Sequence, residues 1–259
     1  MGWKGMAIGG WLGSVFGGPL GAILGAALGH QIEGVAFRKG ERRYSSLPHG
    51  DRSLIFCASA AAMLAKMAKA DGVVTADEIA SVESAFRRLG FSAAARRHAI
   101  DVFRRAKEDG HTIYDYAREF AKAVDALEVR ELFYEILWDV ACADGRVGGT
   151  ENQILQRIPA ALGIRREWYG YFASHRFRRE SADPRAASRP ALADAYALLG
   201  ASESDDAETL KRKYRELAKR NHPDALRAQG LPEEMVGKAT ERMSRINEAW
   251  ATIREARGL

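Results

Sequence analysis

Hydrophobic residues recur at helical spacing along most of this 259-residue chain. Over 54–172 and again over 191–259, apolar positions return every three or four residues, and few segments alternate as strands do. This pattern predicts an all-α fold with two helical regions. The predicted divisions are a short N-terminus at 1–4, a Gly-rich transmembrane helix at 5–29, a basic linker at 30–52, a helical domain at 53–173, an Arg/Pro linker at 174–190 and a helical-hairpin domain at 191–259.

The N-terminal segment is strongly apolar. No charged residue occurs over 5–29, and about 20 apolar residues suffice to cross a bilayer. A signal peptide has a shorter apolar region that ends in a small-residue cleavage site, which is not evident here. A helical hairpin broken at Gly17-Gly18-Pro19 leaves each arm too short to span. We therefore expect one transmembrane helix, kinked near Pro19.

Charges flank this segment unequally. One lysine, Lys4, precedes it, whereas four cations follow it over 38–43. Because positive residues stay on the cytoplasmic side, this asymmetry predicts that the C-terminal bulk lies in the cytoplasm.

Glycine recurs at every fourth position of the same segment. Such a row leaves a groove that allows a second helix backbone to approach closely, so it predicts a homodimer through the membrane helix. The residues assigned to this contact are Gly9, Gly13, Gly17, Gly21 and Gly25.

The middle domain contains an internal repeat. The sequences that begin at Ala70 and Ala143 both read Ala-Asp-Gly-x-Val-x-x-x-Glu, and each lies between apolar helical segments. Thr75 followed by Glu78 predicts a capping box at the start of the next helix. Gly148 takes the place of the threonine in the second copy, which predicts a weaker cap.

The acidic residues of these loops allow a second interpretation, a divalent-cation site of carboxylate oxygens. Neither loop has the Asp-x-Asp-x-Asp-Gly run of an EF-hand, and helix caps account for the same residues, so caps are favoured. The region resembles the tellurite-resistance TerB-like helical domain, whose acidic loops have been suspected of binding metal. The residues considered for a cation are Asp71, Glu78, Asp144 and Glu151.

The C-terminal domain begins with a short helix over 191–199. Asp205, with Glu208 three residues later, predicts the N-cap of a second helix. A third helix from about Leu231 carries an apolar seam suited to antiparallel packing against the second. The seam consists of Val236, Ala239, Met243, Ile246, Trp250 and Ile253.

Charge is polarised within this domain. Residues 191–259 contain twelve Lys or Arg and twelve Asp or Glu, so their net charge is zero. Six of the cations lie on the second helix, directly before Asn221-His222-Pro223-Asp224. A local positive face on a neutral domain suits docking on an acidic protein patch better than binding along a phosphate backbone.

These motifs resemble the J-domain of DnaJ-type co-chaperones, in which a basic helix leads into a His-Pro-Asp loop. The segment 246–250, Ile-Asn-Glu-Ala-Trp, belongs to the same pattern. The order of an apolar segment, a TerB-like domain and a J-domain is similar to that of the membrane-anchored DjlA-like co-chaperones of the bacterial inner membrane. One departure is Ala225, where many J-domains have lysine.

The resemblance implies a membrane-anchored co-chaperone for protein folding and stress response, which stimulates ATP hydrolysis by a cytoplasmic DnaK-type chaperone. Pro223 would fix the loop backbone, Asp224 would accept charge-assisted hydrogen bonds from the partner, and His222 would pack and hydrogen-bond. An alternative is a membrane-tethered adaptor or metal or stress sensor that acts mainly through the TerB-like domain. The partner-binding residues implied are His222, Pro223, Asp224, Arg212, Lys213, Arg215, Lys219 and Arg220.

Composition narrows the function further. The net charge of +5 is mild for 259 residues, so no nucleic-acid partner is expected. Cys57 and Cys142 lie in apolar helical context and form neither a disulfide framework nor a metal motif. The sequence contains no evident nucleophile–base pair, cofactor loop or metal cage, so we expect no enzymatic activity and no cofactor.

Overall fold

The computed structural model describes residues 18–22, 49–70, 72, 76–141, 147–166, 168–173 and 192–259. Every regular element in these ranges is a helix, which confirms the predicted all-α fold. The chain forms two compact units: Met1–Ile164 with Gly230–Met235, and Arg165–Gln229 with Val236–Leu259. The predicted linker at 174–190 lies outside the described residues.

The first unit is arranged around its longest helix, α1, which contacts the five helices that follow it. A single turn of 3-10 helix, Glu233–Met235, also belongs to this unit. The α-helices are α1 His49–Ala70, α2 Ala76–Arg88, α3 Ala93–Glu108, α4 Ile113–Ala123, α5 Leu127–Ala141 and α6 Gly149–Leu162.

Aromatic side chains form the centre of this core. Phe56 of α1 packs edge-on against Phe133 of α5, with ring centroids 5.0 Å apart, and Phe120 of α4 stacks on Phe133 at 4.1 Å. All three rings are fully buried. Cys57, the residue after Phe56, is also buried. Burial raises the pKa of its thiol, so the group stays protonated and unreactive.

Local capping determines where these helices begin. Thr112 and Asp115 form a complete capping box: the Asp115 amide donates to Thr112 Oγ1 (3.3 Å), and the Thr112 amide donates to Asp115 Oδ2 (2.8 Å). At α6 only half of that arrangement exists, because Gly148 has no side chain and its amide donates to Glu151 Oε2 (2.9 Å). This is the weaker cap predicted for the second repeat.

One helix within the described ranges, Arg52–Ala70 of α1, is long and apolar enough to cross a bilayer. Most of it is buried inside the first unit, so its apolar composition is accounted for by its central position. The membrane helix predicted at 5–29 lies outside the described residues except for 18–22.

The second unit contains a short helix over 168–173 and four α-helices. In the middle of the two long helices, Tyr214 stacks on Trp250 with ring centroids 5.0 Å apart. Asp205, which precedes the first of these helices, accepts a hydrogen bond at its backbone oxygen from Arg257 at the end of the second (3.1 Å). The contacts run in opposite order along the two long helices, so these helices are antiparallel, as predicted. The four are α7 Leu192–Leu199, α8 Ala207–Asn221, α9 Pro223–Ala228 and α10 Val236–Arg257.

The buried face of α10 differs from the predicted seam. Met243 and Trp250 are only partly buried, and Arg242 is buried instead, at 1% exposure. The Arg242 guanidinium lies 4.5 Å from the centroid of the Trp168 ring, and Trp168 is itself buried. A planar guanidinium packs well on an aromatic face, so a cation occupies a position for which the pattern chose methionine. The buried face is Ala239, Arg242, Ile246, Ala249 and Ile253.

The N-cap of α8 also differs from the prediction. Asp206, rather than Asp205, precedes the first helical residue, and its Oδ1 accepts from the Thr209 amide (2.6 Å). Asp205 accepts instead from the Ser202 amide (2.9 Å) and from Lys213 Nζ (2.6 Å). Either aspartate could cap α8. Asp206 does so, and Asp205 is bound by the side chain of Lys213.

Candidate partner-binding site

The His-Pro-Asp loop is a sharp junction between α8 and α9. α8 ends at Asn221, and Pro223 is the first residue of α9. A residue before proline is disfavoured in the helical region, and His222 accordingly has extended backbone angles, φ −61° and ψ 133°. Proline is well placed at the first position of a helix because it has no N–H to satisfy there. The junction therefore follows directly from the Asn-His-Pro-Asp sequence.

The two polar side chains of the loop point to solvent. His222 is 56% exposed and Asp224 is 75% exposed. His222 Nδ1 accepts a hydrogen bond from the Asp224 amide (3.3 Å), so the neutral ring carries its proton on Nε2. Arg227 NH1 lies 3.3 Å from Asp224 Oδ1. The loop thus offers one imidazole N–H donor and one carboxylate acceptor close together.

Buried residues on both sides hold this loop in place. Asn221 is fully buried, and its Nδ2 donates to the backbone oxygen of Leu217 (2.9 Å), which closes the last turn of α8. Leu226 of α9 is also fully buried. Asn221 was part of the sequence motif, but its role as an anchor was not predicted, since asparagine next to a turn is ordinarily exposed.

The predicted cations of α8 differ in their exposure and in the contacts they make. Lys213 Nζ lies 2.6 Å from Asp205 Oδ2, and its hydrogen bond lowers the pKa of that carboxyl group. Arg212 NH1 lies 3.6 Å from Glu216 Oε1, within the helix. Arg215, Lys219 and Arg220 are exposed. Lys219 and Arg220 lie in the final turn of α8, shortly before His222.

The remaining candidate residues are not brought together. Asp71, Asp144 and the side chain of Glu78 lie outside the described residues, and Glu151 caps α6. Among the described residues, no cluster of three or more His, Cys, Asp or Glu could hold a metal ion. Of the glycine row, Gly21 alone is described, and its amide donates to Glu119 of α4.

Comparison with known proteins identifies two known domain families in this chain. Two family models match, "Tellurite resistance protein TerB" over residues 58–170 and "DnaJ domain" over residues 194–257. A relative from Vibrio cholerae serotype O1, described as co-chaperone protein DjlA, is 33% identical over 89% of this chain and 90% of its own. Relatives of the same description from Photorhabdus laumondii (29% identical, 89% of each chain) and Escherichia coli O157:H7 (29%, 80% of this chain and 82% of that one) also match. No solved structure matches.

Proposed function

Since this chain belongs to the DjlA family of DnaJ-type co-chaperones, we propose that it stimulates ATP hydrolysis by a DnaK-type chaperone through the His-Pro-Asp loop. The observation that carries the proposal is the junction of α8 and α9. It presents an exposed imidazole and an exposed carboxylate on a backbone that Pro223 and the buried Asn221 hold in place. A rigid, exposed pair of polar groups loses little entropy when a partner binds.

The loop residues have distinct roles in this proposal. Asp224 accepts charge-assisted hydrogen bonds from an arginine or from backbone amides of the chaperone. His222 Nδ1 accepts a hydrogen bond from the Asp224 amide, which orients the start of α9, and its Nε2–H group donates a hydrogen bond to the partner. Neither residue acts on the phosphates of ATP; the chain changes the rate of a reaction that the chaperone carries out.

The basic face of α8 supplies the first encounter. Arg215, Lys219 and Arg220 are exposed and lie on the helix that ends at the loop. Charges of this kind raise the association rate with an acidic surface, and their effect weakens as salt is added. The proposed order is steering by α8, followed by the short-range contact of the loop.

Single-turnover ATP hydrolysis by a DnaK-type chaperone, with and without the full chain, tests the proposal. We expect stimulation by the parent chain and its loss in His222→Gln, which removes the imidazole but keeps the backbone. The matched control is His111→Gln, because the His111 side chain is 51% exposed and lies in the first unit. Equal stimulation by His222→Gln and the parent would refute the loop assignment.

We also propose that residues 5–29 anchor the chain in the bacterial inner membrane, with the C-terminal bulk in the cytoplasm. The support is the uncharged length of the segment and the excess of cations after it. Cysteine labelling with a membrane-impermeant reagent tests this topology. A cysteine introduced at Ser188 should be labelled only after the membrane is opened, and labelling in intact spheroplasts would contradict it.

A further inference from the structure

A buried carboxylate of the first unit holds part of the glycine-rich N-terminal segment. Glu119, in α4, is only 5% exposed. Its Oε2 accepts a hydrogen bond from the Leu20 amide (2.6 Å), and its Oε1 accepts one from the Gly21 amide (3.0 Å). The Leu20 side chain is fully buried. Nearly one hundred residues separate the two sides of this contact, so it is a tertiary interaction.

Residues 19–22 form a helical turn whose first donors need an outside acceptor. Pro19 has no N–H, and the Ala22 amide donates to the Gly18 oxygen (3.1 Å). The amides of Leu20 and Gly21 precede that first backbone bond and have no acceptor in the helix they begin, and Glu119 provides one oxygen for each. Burial raises the pKa of Glu119, and the amide donors counteract that rise by stabilising its ionised form.

Glycine at position 18 leaves room for the Glu119 carboxylate. A Cβ atom on residue 18 would lie 2.8 Å from Glu119 Oε2 and 2.9 Å from its Cδ. Alanine at this position would therefore push the end of the Glu119 side chain away from the amides of Leu20 and Gly21. One glycine of the segment is therefore used for close contact with α4.

This contact is incompatible with a membrane helix over 5–29 whose backbone is hydrogen-bonded directly after the predicted kink at Pro19. In such a helix the amides of Leu20 and Gly21 donate to the backbone oxygens of Phe16 and Gly17. The same two N–H groups donate to Glu119 here. Each N–H forms one strong hydrogen bond, so the segment occupies one arrangement or the other.

We propose that α4 carries a docking site, centred on Glu119, for residues 18–22 of the same chain, and that docking competes with insertion of the N-terminal segment into a bilayer. The competition with insertion rests on the membrane anchor proposed above. The docked state keeps the Leu20 side chain away from water before insertion, and a bilayer releases it.

Hydrogen exchange of the full chain in buffer without lipid tests the docking itself. The first amides of a helix have no acceptor within it, so those of Leu20 and Gly21 are protected from exchange by their hydrogen bonds to Glu119. We expect Glu119→Gln and Gly18→Ala each to accelerate their exchange by about tenfold, the loss expected for a hydrogen bond to a charged group. Glu108→Gln, which removes an exposed carboxylate of the same unit, should change nothing.

Sedimentation with vesicles of phosphatidylethanolamine and phosphatidylglycerol tests the competition. Glu119→Gln should raise the bound fraction of the full chain, and Gly18→Ala should raise it more than Gly10→Ala, which alters the composition of the segment equally. Because Gly18 lies outside the helices of the first unit, its variant tests the site without altering α4.

Each outcome decides one part of the proposal. Unchanged exchange in both Glu119→Gln and Gly18→Ala overturns the docking site. Faster exchange with unchanged vesicle binding overturns the competition and leaves the docking. A parent chain that never binds vesicles refutes the proposed membrane anchor and the competition with it, and the exchange of the two amides still decides the docking.

Discussion

The Asp224 carboxylate already has an ion-pair partner in its own short helix. Arg227 NH1 lies 3.3 Å from its Oδ1, and both side chains are substantially exposed, at 44% and 75%. An exposed pair contributes at most about 1 kcal/mol, so a partner arginine can replace Arg227 at small cost. Arg227 also brings a positive charge to the loop in which Ala225 replaces the lysine common in J-domains.

Removing Arg227 should therefore strengthen binding to a DnaK-type chaperone. We expect Arg227→Ala to tighten the dissociation constant by up to about fivefold, mainly through slower dissociation, because Asp224 no longer has to leave an internal partner. Surface plasmon resonance measures both rates. Arg254→Ala removes the same charge from the far end of α10 and serves as the control. Weaker binding by Arg227→Ala than by Arg254→Ala contradicts the competition.

The residue-level errors of the sequence interpretation share one cause. The pattern identified the His-Pro-Asp junction because its backbone follows from local rules. It missed the burial of Arg242 because hydrophobic patterns assign cations to the surface, and only the ring of Trp168 explains this one. It chose Asp205 over Asp206 because either fits a cap, and the lysine that engages Asp205 lies eight residues away. Partners distant in sequence decide such cases.

At the scale of elements, the cations of α8 differ in what they can contribute to association. Lys213 is bonded to Asp205, whereas Lys219 is exposed in the last turn, next to the loop. α9 lies on the other side of the same loop, and sequence periodicity did not predict it, since six residues are too few to show a period.

We expect Lys219→Gln to lower the association rate with the chaperone roughly twofold to threefold at low salt, and Lys213→Gln to lower it less. The difference should vanish at high ionic strength, where the exposed charge is screened. Stopped-flow association at several salt concentrations checks this. A larger effect of Lys213→Gln would mean that the ion pair between Lys213 and Asp205 breaks when the chaperone approaches.

A second element-scale feature joins α1 to the turn between α3 and α4. Lys66 Nζ, with a side chain only 7% exposed, lies 2.7 Å from Asp109 Oδ1 and also donates to the Asp109 backbone oxygen (2.8 Å). Tyr116 donates to the other carboxylate oxygen. Burial by itself raises the pKa of Asp109, but these hydrogen bonds outweigh it, so the pKa lies below its usual value.

The depressed pKa makes the first unit acid-sensitive. A carboxyl group whose folded-state pKa is lowered adds stability above its unfolded value, about 3.9, and that stability is lost as the pH falls through the folded-state pKa. Asp109→Asn should lower the free energy of unfolding by about 3 kcal/mol at pH 7, since Lys66 is left buried and unpaired, and should flatten the dependence below about pH 4.

Urea unfolding at a series of pH values, with amide hydrogen exchange in α1 as the readout, measures the change in unfolding free energy and its pH dependence. Asp101→Asn is the matched control, because Asp101 is exposed on α3. If Asp109→Asn loses stability with acid as steeply as the parent, the acid sensitivity arises elsewhere.

At the scale of the whole molecule, local sequence patterns predicted the helical domains but not the contact of the N-terminal segment with α4. The repeat, the helical content and the basic helix with its loop were all legible in the sequence. The contact of Gly21 with Glu119 was not, because glycine every fourth residue is equally typical of helix association in membranes. The two uses of this segment make different predictions.

The glycine row predicts self-association of the inserted form. Replacing Gly13, Gly17 and Gly21 with leucine fills the groove, so dimers in detergent should decrease several-fold. Leucine at Ala22 and Ala26, on the opposite face of the helix, should leave them intact. Size-exclusion chromatography with light scattering gives the mass, and an unchanged oligomer in the triple variant rules out dimerisation through the row.

The Arg242–Trp168 pair has a consequence for how such proteins recombine during evolution. Trp168 lies within the compact C-terminal unit, although it falls inside the TerB match and precedes the DnaJ-domain match by more than twenty residues. A gene fusion that transferred only residues 194–257 would separate a buried guanidinium from its ring. A crossover ahead of Arg165 keeps the two together. The inherited unit is therefore longer than the recognisable motif, and shuffled chimeras with this helix should tolerate junctions before 165 better than junctions near 190.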